Sequence, residues 1–313
     1  MRSIPLIANI ESDERDAWLT QLNTVLPDTE VRPSEQFNTD QAANADVAIV
    51  ANPSPDELRR FTGLRWVQSV WAGVEKMVKM PELAEIPIVR MEDPELARTM
   101  GEAVLAWTLY LHRDMPEYAR QQKEKIWQQR PYTPPHECEV GVLGSGKLGR
   151  AAIEALLTCG FRVSAWSRSE QQIDGVAHYA GLERLPALLA RCDILVSLLP
   201  LTADTEHLMD IQRLALLKPQ AAIINFARGA IFDEQALLRQ LDQGALRHAV
   251  LDVFSTEPLP PDNPFWHHPA VTVLPHISAP TNVKTASLIV RDNLQAYQKD
   301  GTIPPAVNYR RGY

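Results

Sequence analysis

The chain has 313 residues, 45% of them hydrophobic, with a formal net charge of −8; that is room for two domains, each with its own core, and the acidic balance speaks against nucleic acid or an anionic membrane as partner. No apolar run approaches the roughly 18 residues that a membrane span needs. Cys138, Cys159 and Cys192 make no metal or disulfide pattern, Cys159 and Cys192 read as buried thiols, and no signal peptide follows Met1, so the expected protein is cytoplasmic and holds no metal.

Taken in order, residues 4–10 predict a strand and Asp13 to Leu26 a helix, with Trp18, Leu22 and Val25 at helical spacing. Val47 to Val50, Trp66 to Val70 and Ile88 to Arg90 predict strands, and Pro55 to Phe61 a short helix. Such alternation predicts a small parallel α/β domain. A long apolar helix is predicted over residues 98–113, and the polar, proline-rich stretch 119–137 reads as a linker.

Glu139 to Arg168 then reads strand, glycine turn, helix, strand. The turn is Gly144-Ser145-Gly146-Lys147-Leu148-Gly149. In such a turn the first glycine permits the bend, the second lets backbone approach a pyrophosphate, and the third lets the helix lie close on the strand. The helix N-terminus adds free N–H groups and a positive dipole end. The second strand ends at Trp166 and leads into Ser167, Arg168 and Ser169, with no carboxylate where an NAD site usually carries one. Arg168 and the two hydroxyls can serve a 2′-phosphate, which favours NADP(H) and leaves NAD(H) open as a second cofactor; the plainer reading of Arg168 is a solvated loop residue balanced by Glu170.

Beyond it, helices are predicted at Leu185 to Ala190, Asp233 to Gln243 and 282–299, the last returning to the first domain, and strands at Ile194 to Leu199, Ala221 to Phe226, Ala249 to Phe254 and Val271 to Leu274. Arg228, Glu257 and His276 each fall just past one of these strands. Carboxyl ends of parallel strands form one rim, and ligands bind there. Arginine offers a fork for a carboxylate, histidine gives and takes a proton near neutral pH, and a glutamate beside it fixes the tautomer. Singly, each is an ordinary surface or turn residue; His267 and His268 read as loop residues.

NFARG at 225–229, LDVFSTEP at 251–258 and PHISAPT at 275–281, with the glycine turn and Leu198-Leu199-Pro200-Leu201-Thr202, resemble the signatures of the D-2-hydroxyacid dehydrogenase family over nearly the whole chain. Trp166-Ser167-Arg168, residues 264–269 and the terminal Arg311-Gly312-Tyr313 resemble its glyoxylate- and hydroxypyruvate-reducing branch. The resemblance implies a Rossmann-type cofactor domain, about 101–280, inserted into a flavodoxin-like α/β substrate domain, about 1–100 and 281–313, in a homodimer. It places the catalytic arginine, glutamate and histidine on Arg228, Glu257 and His276, and cofactor contacts on Leu199, Pro200, Ala227 and Asp252 as well as the glycine turn. Asp252 reads equally as a buried acid capping its loop. The loop Trp71-Ala72-Gly73-Val74 would bind the substrate carboxylate as a nest of N–H groups, or is a plain strand-to-helix turn. Ser278-Ala279-Pro280 departs from the glycine-containing turn often seen after the histidine, and Trp71 stands where a small residue is common. The implied activity is NADPH-dependent reduction of a small 2-oxo acid. The alternatives are a dehydrogenase of phosphoglycerate or a bulkier 2-oxo acid, and a non-catalytic nucleotide sensor on the same fold.

Overall fold

Among the described residues all the strand pairs are parallel, and the near-continuous apolar runs that build most of them are what sheets covered on both faces require. The structure, a computed structural model, describes residues 2–309 and Gly312, so Arg311 and Tyr313 of the C-terminal motif lie outside the described residues. The chain divides into two units, Met1–Leu96 with Thr281–Tyr313, and Ala97–Pro280.

The first sheet comprises β1 (Arg2–Ala8), β2 (Thr29–Pro33), β3 (Val47–Ala51), β4 (Trp66–Ser69) and β5 (Ile88–Val89), in the order β2-β1-β3-β4-β5. That is the flavodoxin-like order. Helices α1 (Ser12–Val25), α2 (Thr39–Ala43), α3 (Pro55–Leu58) and α4 (Glu75–Val78) connect its strands. Period-two alternation divides the strand side chains between two cores. Val47, Ile49 and Ala51 enter one core, Ala48 and Val50 the other.

Next come α5 (Pro94–His112) and α6 (Met115–Glu124), then the second sheet: β6 (Glu139–Leu143), β7 (Arg162–Ser167), β8 (Ala177–Ala180), β9 (Ile194–Ser197), β10 (Ala221–Asn225), β11 (Leu246–Leu251) and β12 (Val271–Val273). Their order is β12-β11-β10-β9-β6-β7-β8, the doubly wound Rossmann arrangement with its switch point between β6 and β9. Among its strands run α7 (Lys147–Thr158), α8 (Leu185–Leu189), α9 (Ile211–Leu214) and α10 (Glu234–Asp242). Val140, Val142, Ile194, Val196, Ala222 and Ile224 face one core, and Leu143, Leu195, Ala221 and Ile223 the other. The last helix, α11 (Val283–Asp300), belongs to the first unit: Ala286, Val290, Leu294 and Tyr297 pack with Trp18 and Leu22 of α1.

Four expectations need correction. Residues 119–137 are not all linker, because α6 runs through Glu124; it buries only Gln121 and is laced by Arg120 to Glu117 and Glu124, so it lacks the apolar stripe that periodicity detects. β2 and β8 went unpredicted; they are short sheet-edge strands without the continuous apolar run of the central ones. β11 begins at Leu246 and stops at Leu251, so residues 252–254 are loop, though buried. Cys138 and Cys192 are the buried thiols, and Cys159 is half-exposed.

Leu294 on α11 is fully buried. Leu294→Ala should cost about 2–5 kcal/mol of stability, read from the denaturation midpoint of the first unit; an unmoved midpoint would mean that α11 contributes no core.

Candidate active site

At the switch point, the Leu198 N–H donates to Leu143 O at 2.8 Å and the Gly144 N–H to Trp166 O at 2.8 Å, which pins the glycine turn between β7 and β9. Gly144 has φ +101°, and a Cβ there would lie 2.9 Å from Leu198 O. A Cβ on Gly149 would lie 1.9 Å from Gly144 O, so α7 sits too close on the turn for any side chain. A Cβ on Gly146 would meet nothing within 4 Å; the space before it is open. Lys147 and Leu148 open α7, whose N-cap is Gly146 and carries no side-chain cap, leaving first-turn N–H groups for an anion. Ser145 is buried, and its hydroxyl has no protein partner. The turn thus fits a dinucleotide pyrophosphate.

β7 ends at Ser167, and Arg168 and Ser169 are exposed beyond it. The Ser167 hydroxyl donates to Ser169 O at 2.8 Å. In this arrangement its one proton is engaged within the loop. After β9, Leu199 is buried, and Pro200 O accepts from the Thr205 hydroxyl at 2.7 Å.

Three loops past β10, β11 and β12 carry the expected catalytic set. Asn225 shapes the first: its amide donates to Arg228 O at 3.1 Å, and its carbonyl accepts from the Ala227 N–H at 3.3 Å. Arg228 is half-buried and donates to Ala227 O at 2.6 Å. Gly229 is what lets this loop meet the second, since a Cβ there would fall 2.0 Å from the Phe254 carbonyl carbon and 2.2 Å from Ser255 N. In the second loop, the Phe254 N–H donates to Glu257 Oε1 at 2.9 Å, and the Glu257–Pro258 bond is cis. The other oxygen, Oε2, lies 2.8 Å from His276 Nδ1 in the third loop. Asp252, 2% exposed, holds that third loop, accepting from the Ile277 N–H at 2.7 Å and the Ser278 N–H at 2.9 Å. His276 itself is in the left-handed region, at φ 56°, a costly backbone state for a bulky residue.

The charges in this cluster act on one another. The hydrogen bond to Glu257 raises the imidazole of His276 above its ordinary range; burial and the neighbouring Arg228 charge work against it. Burial pushes Glu257 up, but the hydrogen bonds from His276 and the Phe254 N–H, with the charges of His276 and Arg228, bring it net below the usual carboxylate range. With Nδ1 engaged, Nε2 is the nitrogen that can hand a proton to a substrate.

Trp71, Ala72, Gly73 and Val74 belong to the first unit, at the carboxyl end of β4. The Trp71 N–H donates to the Ser69 hydroxyl at 3.0 Å, its carbonyl accepts from the Met91 N–H at 3.0 Å, and its ring meets Trp18 edge-on at 6.2 Å. Val74 caps the short α4.

Sequence reasoning missed the residues that place the site: Asn225, Gly229, Thr205 and His178, which touches Ser167 at 2.9 Å. Asn225 and Gly229 had a signal, as the ends of the NFARG motif at 225–229; the side-chain bonds of Thr205 and His178 leave none in the residue order.

Residues 105–278 match the family described as "D-isomer specific 2-hydroxyacid dehydrogenase, NAD binding domain". The chain is 37% identical over 309 residues to the glyoxylate/hydroxypyruvate reductase A of Yersinia enterocolitica, covering 96% of this chain and 97% of that protein. It is similar to the crystal structure of an NADPH-dependent glyoxylate/hydroxypyruvate reductase from Sinorhizobium meliloti in complex with NADP and sulfate, with a TM-score of 0.93, 32% identity and 100% coverage of both chains. A D-isomer specific 2-hydroxyacid dehydrogenase from Xanthobacter autotrophicus Py2, in complex with NADPH and MES, gives a TM-score of 0.92 at 34% identity, with 100% of this chain and 99% of that one covered.

Followed by NMR, His276 should titrate above the ordinary 6.5 of an imidazole. Glu257→Gln removes the negative charge and keeps the shape, so that titration should move to lower pH. An unmoved titration would mean that the carboxylate does not hold the imidazolium.

Proposed function

Because the chain belongs to the D-isomer specific 2-hydroxyacid dehydrogenase family and is an NAD(P)-dependent oxidoreductase, we propose that it reduces glyoxylate and hydroxypyruvate to their 2-hydroxy acids with NADPH. The observation that carries this reading is the 2.8 Å contact between His276 Nδ1 and Glu257, beside Arg228, on the rim that also holds the glycine turn.

Reduced nicotinamide, when bound, supplies the hydride. The protein supplies position, charge and a proton. Arg228 holds the substrate's carboxylate through its planar fork and draws density toward the carbonyl oxygen. As negative charge grows on that oxygen, His276 donates its Nε2 proton. Glu257 keeps the imidazole charged and oriented beforehand, so little reorganisation remains for the reaction itself. In this reading the first unit is the substrate domain, its Ala72, Gly73 and Val74 N–H groups a nest for an anion, and the second is the cofactor domain.

NADPH is favoured over NADH because β7 leads through Ser167 into Arg168 and Ser169 without a carboxylate, and because the Sinorhizobium and Xanthobacter relatives were crystallised with NADP and NADPH. A homodimer is the proposed assembly. The exposed apolar side chains of Met115, Ile126, Trp127 and Tyr132 give it surface to bury.

Arg228→Lys keeps the charge but loses the fork, and should lower kcat/KM for glyoxylate on the order of 10²-fold; near-normal turnover would mean that another group anchors the substrate. Arg168→Ala should raise the KM for NADPH far more than that for NADH, and an equal rise for both would remove Arg168 from 2′-phosphate binding.

A further inference from the structure

His178 lies on the edge strand β8, paired with Ala165 of β7, and takes no part in the chemistry above. Its ring is tied at both nitrogens. Nε2 lies 2.9 Å from the Ser167 hydroxyl, and Nδ1 accepts from the Gln171 N–H at 3.4 Å. The Ser167 hydroxyl in turn donates to Ser169 O at 2.8 Å. These contacts select one tautomer. A backbone N–H can only donate, so Nδ1 must present its lone pair. The single hydroxyl proton of Ser167 goes to Ser169 O, so Nε2 must carry the hydrogen and give it to Ser167 Oγ. The result is one directed chain, from the Gln171 N–H through the imidazole and the Ser167 hydroxyl to Ser169 O. It fastens residue 167 to the backbone of 169 and 171, with Arg168 between the fastened points.

The surroundings favour the neutral form of that imidazole. Burial lowers its proton affinity; Glu170 opposes this, and Arg150 of α7 adds to it. Arg150 also donates to the Gln171 side-chain carbonyl at 2.8 Å, bracing the same turn from the helix side. A protonated ring would turn an Nδ1–H against the Gln171 N–H and break the chain at its first link.

We propose that His178, as the neutral Nε2–H tautomer, is a positioning residue for cofactor selection: it holds Ser167–Gln171 in the shape that presents Arg168 to the 2′-phosphate, and it acts through Ser167, whose hydroxyl is a link in the loop and not a phosphate donor. This rests on the NADPH reading above.

The test titrates the full-length protein calorimetrically with two cofactor fragments, adenosine 2′,5′-bisphosphate and AMP. The parent protein should prefer the bisphosphate. His178→Phe keeps the ring shape without either hydrogen bond, and should cut that preference about five- to tenfold while AMP affinity moves less than about twofold, as loss of one or two hydrogen bonds implies. His178→Gln, whose amide reaches the Nε2 position, should retain more of the preference than the phenylalanine variant, and carries the comparison alone if that variant does not fold. Ser167→Ala should lower the preference in the parent and add little in the His178→Phe background, because both break the same chain. An undiminished preference in the His178 variants would overturn the proposal. So would an equal loss of both fragments, or a Ser167→Ala effect of the same size in both backgrounds, which would place the hydroxyl on the phosphate itself. A parent protein with no preference for the bisphosphate would instead overturn the NADPH reading, and this inference with it.

Discussion

The hydrogen bond between Glu257 and His276 depends on three loops arriving at one edge of one sheet, and it is the constraint around which the site is arranged. Parallel strands β10, β11 and β12 deliver the loops, but delivery alone leaves them at strand spacing. Gly229 removes the side chain that would hold the first two apart. Asp252 draws the third in by gripping the N–H groups of Ile277 and Ser278. His276 sits directly before those two residues in a backbone conformation that a free loop would leave. Its strain is tolerated because the neighbouring contacts overdetermine it.

The same rim separates two electrostatic tasks. At one end, the turn at Gly144–Gly149 meets an anion with backbone N–H groups and a helix dipole, neither of which titrates. At the other, the Arg228, Glu257 and His276 charges are close enough to shift one another. A carboxylate between two cations stays ionised, and an imidazole beside that carboxylate stays protonated to higher pH. The acid needed for reducing a carbonyl is therefore present before substrate arrives. Asp252 adds negative charge near His276 in the same direction while its own oxygens are engaged with backbone.

Much of this was legible in the residue order, for identifiable reasons. The glycine turn, the buried parallel strands and the positions just past them are local patterns, and the sheet turns local position into convergence: Arg228, Glu257 and His276 are distant in the chain but share one rim. Patterns of that kind do not reveal edge strands such as β8, or a helix like α6 that is held by ion pairs without an apolar stripe. Nor do they reveal which way a hydroxyl points. Ser167 stands where a phosphate donor is expected. Its hydroxyl donates to Ser169 O, and its other partner, His178, lies in a strand that the sequence did not betray.

The most direct measurement is a steady-state comparison of glyoxylate, hydroxypyruvate and pyruvate, each with NADPH and with NADH. The account predicts the highest kcat/KM for glyoxylate or hydroxypyruvate with NADPH. Absence of turnover with all three acids despite tight nucleotide binding, or a clear preference for NADH, would contradict it.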